Sequence, residues 1–422
     1  MMRNTLPTRP HTLALVHCPL SLVRQEATVF SCLTRDNGQW ARDNVRRRCV
    51  STLFCLLLIF CCAQAQTPET RQVNAIAPGL EHLQIKRGDF SAEQGDRWTI
   101  NALIVDPQLI RLQLRIAMDE IAGTENTSSL AQRYGALAAI NGGYFRTTGL
   151  YRGEQMGALF QAGQWLSEPA RGRAALALAE QNGQTRAAAA LLTAQAEVQI
   201  GKVTHAINGF NRPREKDELI VFTPEFHRTT LTAADGLEAV IVRGRVTALR
   251  DGAGSQVIPR DGWVLSAHGA ARAWALQHLR VGVRVTFKTN FKAEPPLPFN
   301  AETIIGAGPR LLAGGEAVGE AEPGFNQQTF YRARHPRTAL GWRADGRFVL
   351  VTVDGRQPKL SVGMTIAELA ALMRELGCVE ALNLDGGGST TMVVNNKIVN
   401  SPSDAAGERA VSDALLVLPR NP

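Results

Sequence analysis

Three consecutive pieces decide how this chain is read: FVLVTV at 348–353, TIAELAALMRELG at 365–377 and VEALNL at 379–384. Thr365 and Glu368 have the spacing of a capping box, in which hydroxyl and carboxylate reciprocally satisfy backbone donors at a helix start. Leu369, Leu372, Met373 and Leu376 recur on one face, and Gly377 ends the pattern. The flanking pieces are short, apolar and rich in Val and Leu, as strands are. Strand–helix–strand at this spacing predicts a crossover unit. From it follows an α+β fold class: mixed sheets with helices packed on them, in one large domain.

The rest of the chain keeps a short-strand rhythm. Leu103-Ile104-Val105, Ile220-Val221-Phe222, Ala239–Val242 and Trp263-Val264-Leu265 are apolar runs with turn residues nearby. Thr127 to Tyr134 and Ala270 to Leu279 are predicted as short helices. Ala174–Ala179 and Ala187–Ala194 would suit helices by propensity. The Asn182-Gly183 pair between them is a hairpin dipeptide, so strands are predicted. With 422 residues, 45% of them hydrophobic and 20% charged, the chain can bury a sizeable core.

The N-terminal 65 residues read differently. Arg46–Arg48 precede an apolar run from Val50 to Cys62, and Ala63-Gln64-Ala65 follows. A basic region, a short apolar region and an A-x-A site describe a secretory signal over about 45–65, cleaved after Ala65. The apolar run is shorter than the roughly 20 residues a membrane span needs, so no stable membrane insertion is expected after cleavage. Residues 1–44 then fit a translation start placed too early, with synthesis beginning at Val45. Six of the seven Cys lie in this leader, leaving Cys378 alone, predicted as a buried structural thiol. The leader holds eight Arg against three acidic residues, so the formal charge of +8 falls to +3 beyond it. Nucleic acid is therefore not an expected partner. A 66–89 extension and a 90–418 domain complete the expected organisation, with a periplasmic or secreted location in a bacterial envelope.

Two glycine-punctuated corners carry the candidate chemistry. Ala138-Ala139-Ile140 runs into Asn141-Gly142-Gly143, and Val379–Leu384 runs into Asp385-Gly386-Gly387-Gly388-Ser389-Thr390-Thr391. Glycines can let successive N–H groups converge on an anion, and the hydroxyls add donors. Asp385 suits a base, a cation-stabilising charge or a metal ligand. Asn141 and Asn383 are candidate donors to a sugar hydroxyl. Arg337 beside Thr338, at the mouth of an apolar strand, is a phosphate-ligand candidate, since guanidiniums bind phosphate oxygens bidentately. Asp354-Gly355-Arg356 and Glu408-Arg409 read as further carboxylate–Arg neighbours. No G-x-S-x-G, P-loop or dinucleotide fingerprint appears, and the histidines lack metal-ligand spacing.

Taken together, Ile140–Phe145, His335–Ala339 and Leu382–Thr391 resemble the phosphodiester glycosidase family, which includes exported bacterial members linked to exopolysaccharides. Asn208–Arg214, Gly306–Leu312 and Glu408–Ser412 extend the resemblance over roughly residues 90–418. It implies hydrolysis of a sugar-1-phosphodiester, of the GlcNAc-1-phosphodiester kind, at the anomeric carbon. A glycosyl phosphate already has a good leaving group, so cations for the phosphate matter more than a general acid. Under that implication Arg337 and Arg409 clamp the phosphate, helped by Gly386, Gly387, Gly388 and Ser389, with Gly142, Gly143, Thr338 and Thr390 lining the site. Asp385 is the expected catalytic carboxylate and Glu408 the second. No cofactor is expected.

Two rival readings use the same residues. Asp385 and Asp354 could hold Mg²⁺ or Ca²⁺ for attack at phosphorus. A non-catalytic exopolysaccharide-binding or export-accessory protein could use the same pocket.

Overall fold

The computed structural model describes residues 67–93 and 95–420; the expected signal segment and start site lie outside the described residues. The expected α+β class does not hold: the chain is built mostly of β-strands, in four sheets of eight, seven, five and five strands. Among the described residues every strand pairing is antiparallel except the two-residue contact between Gly209–Phe210 and Leu219–Phe222. Only three α-helices are described, Thr127–Arg133, Gly269–His278 and Ile366–Glu375. Strand-forming alternation therefore outweighs helical periodicity along almost the whole chain.

The decisive stretch folds locally as read. Thr365 accepts from the Glu368 N–H at 3.1 Å, and Glu368 accepts from the Thr365 N–H at 2.9 Å, completing the capping box. Phe348–Val353 and Cys378–Asn383 run parallel but do not pair, because Arg337–Arg343 lies between them, antiparallel to both. An inserted antiparallel strand thus splits the expected strand–helix–strand crossover, whose helix packs on the sheet face. Ile366, Leu369, Leu372 and Met373 pack there against Leu311, Leu312, Ala339, Val349, Val351 and Ala381. Each such buried aliphatic chain stabilises by about 1.5–3 kcal/mol. Gly341 permits the close approach, since a Cβ there would fall 2.9 Å from both Cys378 Sγ and Met373 Cε. Cys378 is buried, and burial pushes its thiol up to about 12.

Residues 69–88, expected outside the domain, form a hairpin that starts the eight-stranded sheet, with Leu80, Leu83 and Ile85 buried. The Ala-rich segments are strands Ala174–Gln181 and Gln184–Ile200, joined at Asn182-Gly183 with both residues at positive φ. Large apolar residues from several sheets supply the main core, among them Leu103, Leu114, Ile140, Phe222, Leu340 and Leu415.

The site is set by two sheets. Cys378–Asn383 belongs to the eight-stranded sheet, and Ala138–Asn141 to a five-stranded one, between Met392–Val394 and Asp413–Pro419. Each ends in a glycine corner, and the two corners meet.

Candidate functional site

Asn141 ties the corners together. Its Nδ2 donates to the Asp385 carbonyl at 2.6 Å, and its Oδ1 accepts from Thr338 Oγ1 at 2.8 Å and the Thr391 N–H at 3.1 Å. The Asp385 N–H answers by donating to the Gly142 carbonyl at 3.0 Å. Asn141 and Thr338 are both fully buried. Their polar atoms therefore brace the site, where the sequence suggested contact with a sugar. Asn383, 1% exposed, is held likewise: its Nδ2 donates to Tyr144 Oη at 2.6 Å and the Leu384 carbonyl at 2.7 Å. Tyr144 Oη in turn donates to the Gly308 carbonyl at 2.7 Å.

Asp385 is partly exposed, with Oδ1 accepting from the Gly386 N–H at 2.9 Å. Burial pushes its carboxyl up to about 6, outweighing the pull of the nearby Ser389 hydroxyl, the Gly386 N–H and Arg409. The carboxylate of Asp413 adds to that rise. Asp413, which the sequence reading missed, is buried at the start of its strand and accepts from the Gly143 N–H at 2.8 Å. Burial raises its carboxyl above the usual carboxylate range as well, against the Gly143 N–H. Gly142 is required here, because a Cβ would fall 1.8 Å from Asp413 Oδ1. A polar Ser412-Asp413 pair entering the apolar run Ala414–Leu418 was the available signal.

The guanidiniums sort themselves by what already holds them. Arg337 is 2% exposed; its Nε donates to the Met364 carbonyl at 2.8 Å, and its Nη2 to the carbonyls of Phe330 at 2.6 Å and Ala333 at 3.1 Å. Phe330 lies under it at 4.8 Å. Burial pulls its guanidinium down to about 10. Arg337 therefore pins the preceding loop, and with Nε and Nη2 spent it cannot present a two-pronged face to phosphate. Arg409 pairs with Asp404, Nε and Nη2 both reaching Oδ2 at 2.7 Å, and this pair lies over Gly388. Arg356 is exposed and lies over Gly387, with no carboxylate partner among the described residues. Arg173 covers the Tyr144 and Phe325 rings at 4.8 and 4.1 Å, and burial holds it below the usual guanidinium range.

The glycine loop is not an open nest of donors. Gly386 N–H serves Asp385, Gly387 N–H goes to the Pro336 carbonyl at 2.9 Å, and Ser389 N–H returns to the Gly386 carbonyl at 3.1 Å. The turn of 3₁₀ helix at Gly387–Ser389 closes on itself, leaving the Gly388 N–H and the side chains to receive an anion. Thr390 joins Thr338 at 3.4 Å between hydroxyls. Glu408 lies elsewhere: it accepts from the Ser128 N–H at 2.8 Å and from the Ser128 hydroxyl, capping the helix Thr127–Arg133. Asp354, whose carboxyl burial pushes up to about 6, accepts from the Ser401 N–H at 2.9 Å and Asn400 Nδ2 at 3.2 Å. Among the described residues no three His, Cys, Asp or Glu side chains are grouped to hold a metal ion.

Residues 235–418, which include Arg337, Arg356, Asp385, Arg409 and Asp413, match the phosphodiester glycosidase family. This region belongs to that family. Within curated proteins, the chain is 38% identical over 123 residues to an uncharacterized SPbeta prophage-derived protein, YomE, of Bacillus subtilis, covering 28% of this chain and 19% of that one. It is 37% identical over 75 residues to the mouse N-acetylglucosamine-1-phosphodiester alpha-N-acetylglucosaminidase, covering 18% and 14% of the two chains. The chain thus spans less than a fifth of the length of these curated relatives. Among solved structures, a Burkholderia pseudomallei protein described as exported superposes with a TM-score of 0.74 at 26% identity, covering 84% of this chain and 98% of that one. A hypothetical protein from Synechocystis superposes at 0.70 and 24% identity, over 84% and 65%, and shares the fold. The phosphodiester glycosidase match begins at the strand Gly236–Val242, so Asn141 and its corner lie outside it while bonding directly to residues inside it.

Proposed function

We propose that this chain is an exported hydrolase that cleaves a sugar-1-phosphodiester at the bond between the anomeric carbon and the phosphate oxygen. One observation carries the reading: the carboxylate of a partly exposed residue, Asp385, stands where two strand ends are hydrogen-bonded together, with the Arg409 guanidinium over the same glycine loop. Water attacks the anomeric carbon as its proton passes to the Asp385 carboxylate. The carbon–oxygen bond breaks, and its electron pair leaves with the phosphate as a phosphomonoester. A carboxyl lifted to about 6 is ionised at neutral pH yet basic enough to take that proton. Arg409 offsets charge gathering on the departing phosphate. Asp413 does not reach the reacting atoms; through the Gly143 N–H it fixes the corner that receives the sugar.

The family match and the name of the mouse relative support a GlcNAc-1-phosphodiester as first substrate to try. Export is supported by the leader and by the exported description of the Burkholderia neighbour. Among the described residues no helix is long and apolar enough to cross a membrane. Attack at phosphorus assisted by a metal is less well supported, because Asp354 and Asp385 bond to separate partners. Incubating purified chain with a panel of sugar-1-phosphodiesters tests the reading: free sugar plus phosphomonoester supports it, and release of sugar-1-phosphate contradicts it.

A further inference from the structure

Three loops stack beside Asp385, and their glycines set the spacing. A Cβ on Gly355 would fall 2.6 Å from the Pro336 nitrogen, one on Gly363 2.5 Å from the His335 carbonyl oxygen, and one on Gly386 2.8 Å from the Pro336 carbonyl oxygen. Backbone therefore lies on backbone, with His335-Pro336 in the middle. This stacking carries Arg356 over Gly387, its Nη2 and Nη1 lying 3.0 and 3.3 Å from where a Cβ would be. Arg356 has φ +60, a conformation that costs a non-glycine residue and persists where its surroundings impose it. The Gln357–Ser401 pair imposes it from the far side: Gln357 Nε2 donates to the Ser401 carbonyl at 2.9 Å, and Ser401 Oγ to Gln357 Oε1 at 2.9 Å.

The guanidinium is also aimed. His335 Nε2 lies 2.7 Å from the Thr329 carbonyl, so that nitrogen carries the proton. Its Nδ1 is then bare and accepts from Arg356 Nη2 at 3.3 Å. His335 is fixed in turn by two backbone bonds to Met364, at 3.2 and 2.9 Å. An exposed guanidinium held by a neutral ring, with no carboxylate partner among the described residues, keeps its charge available for an incoming anion. On the next residue, Gly388, Arg409 sits closer still, its Nη2 2.1 Å from where a Cβ would be. Consecutive glycines thus carry one guanidinium each.

We infer that Arg356, positioned by His335, is the residue that reads the substrate's phosphate, gripping a non-bridging oxygen opposite Arg409. This rests on the hydrolase reading for its substrate but makes a claim of its own, that an anion binds at Gly387. It moves the specificity-determining role from the buried Arg337 to an exposed residue in the neighbouring turn.

The test uses the full secreted chain and two readouts. Binding of inorganic phosphate is followed by calorimetry, which needs no turnover. Selectivity is the ratio of kcat/KM for a GlcNAc-1-phosphodiester to that for an uncharged aryl glycoside. Arg356→Gln is expected to weaken phosphate binding, and to lower the ratio, by about ten- to a hundred-fold, as loss of a charge-assisted contact does. Arg356→Lys recovers part of both. His335→Ala raises KM for the phosphodiester more than it lowers kcat, the mark of a positioning role. Phosphate binding unchanged in Arg356→Gln overturns the inference, as does an equal loss on both substrates. If the wild-type chain cleaves no phosphodiester yet binds phosphate through Arg356, the hydrolase reading fails and this inference stands.

Discussion

Asn141 Nδ2 donates to the backbone carbonyl of Asp385 across 244 residues of sequence, at 2.6 Å. That bond fixes the height of Asp385 relative to the Gly142-Gly143 corner. Removing the amide in Asn141→Ala leaves Thr338 Oγ1, the Thr391 N–H and the Asp385 carbonyl without their partner. Each unsatisfied buried group costs about 1–3 kcal/mol. The variant is expected to lose roughly 2–4 kcal/mol in urea unfolding and to lose activity with it.

Asp385 and Asp354 couple stability to pH. Both have folded carboxyls pushed from 3.8 up to about 6 by burial. The folded state therefore holds protons that the unfolded state has released between these values. The contribution of these two groups to stability is greatest below about 4, falls as pH rises toward 6, and levels off above. Asp385→Asn is expected to raise the unfolding midpoint at neutral pH and to shrink this slope, with Asp354 and the other raised carboxyls, Asp413, Glu154 and Glu238, keeping their shares. The same substitution abolishes the acid limb of kcat/KM near pH 6 by removing the base itself.

Glu408 caps a helix, so its removal acts on stability. Glu408→Ala is expected to cost about 1 kcal/mol in denaturant unfolding with kcat/KM nearly unchanged. A hundredfold fall in kcat at wild-type stability would instead put Glu408 in the chemistry.

A methyl group at Gly388 would fall 2.1 Å from Arg409 Nη2 and 2.2 Å from Asp404 Oδ1. Gly388→Ala is expected to push this ion pair aside, lowering kcat/KM by about ten-fold or more while shifting the melting temperature less, since the pair is only half-buried.

Arg337 answers in the opposite way. Its guanidinium is buried against three carbonyls, so Arg337→Gln leaves those acceptors short and is expected to destabilise by about 3–5 kcal/mol. Thermal unfolding of this variant beside Arg356→Gln separates a structural guanidinium from a substrate-facing one.

The corners were legible because an apolar strand running into Asn-Gly-Gly or Asp-Gly-Gly-Gly leaves a polar side chain at a strand end with nowhere to hide. The capping box at Thr365–Glu368 was legible because it is wholly local. What Arg337 does was not, since its acceptors are backbone carbonyls of a folded-back loop, Phe330 and Ala333, and of the distant Met364, which no side-chain pattern marks. Arg356 read as a neighbour of Asp354, yet Asp354 turns to Ser401 and Arg356 to Gly387. Asp413 sits one residue past the stretch Glu408–Ser412 that drew attention. The fold class differs because one strongly marked helix stood out among many weakly marked strands, and the strand Arg337–Arg343 lies between the two strands expected to pair.

The central claim is that bond breaking occurs at the anomeric carbon. Hydrolysis of a GlcNAc-1-phosphodiester in water enriched in the heavy oxygen isotope, followed by mass spectrometry of both products, tests it most directly. The account predicts the label in the hydroxyl of the released sugar and none in the phosphomonoester. Label in a phosphate product would place the attack at phosphorus and contradict it.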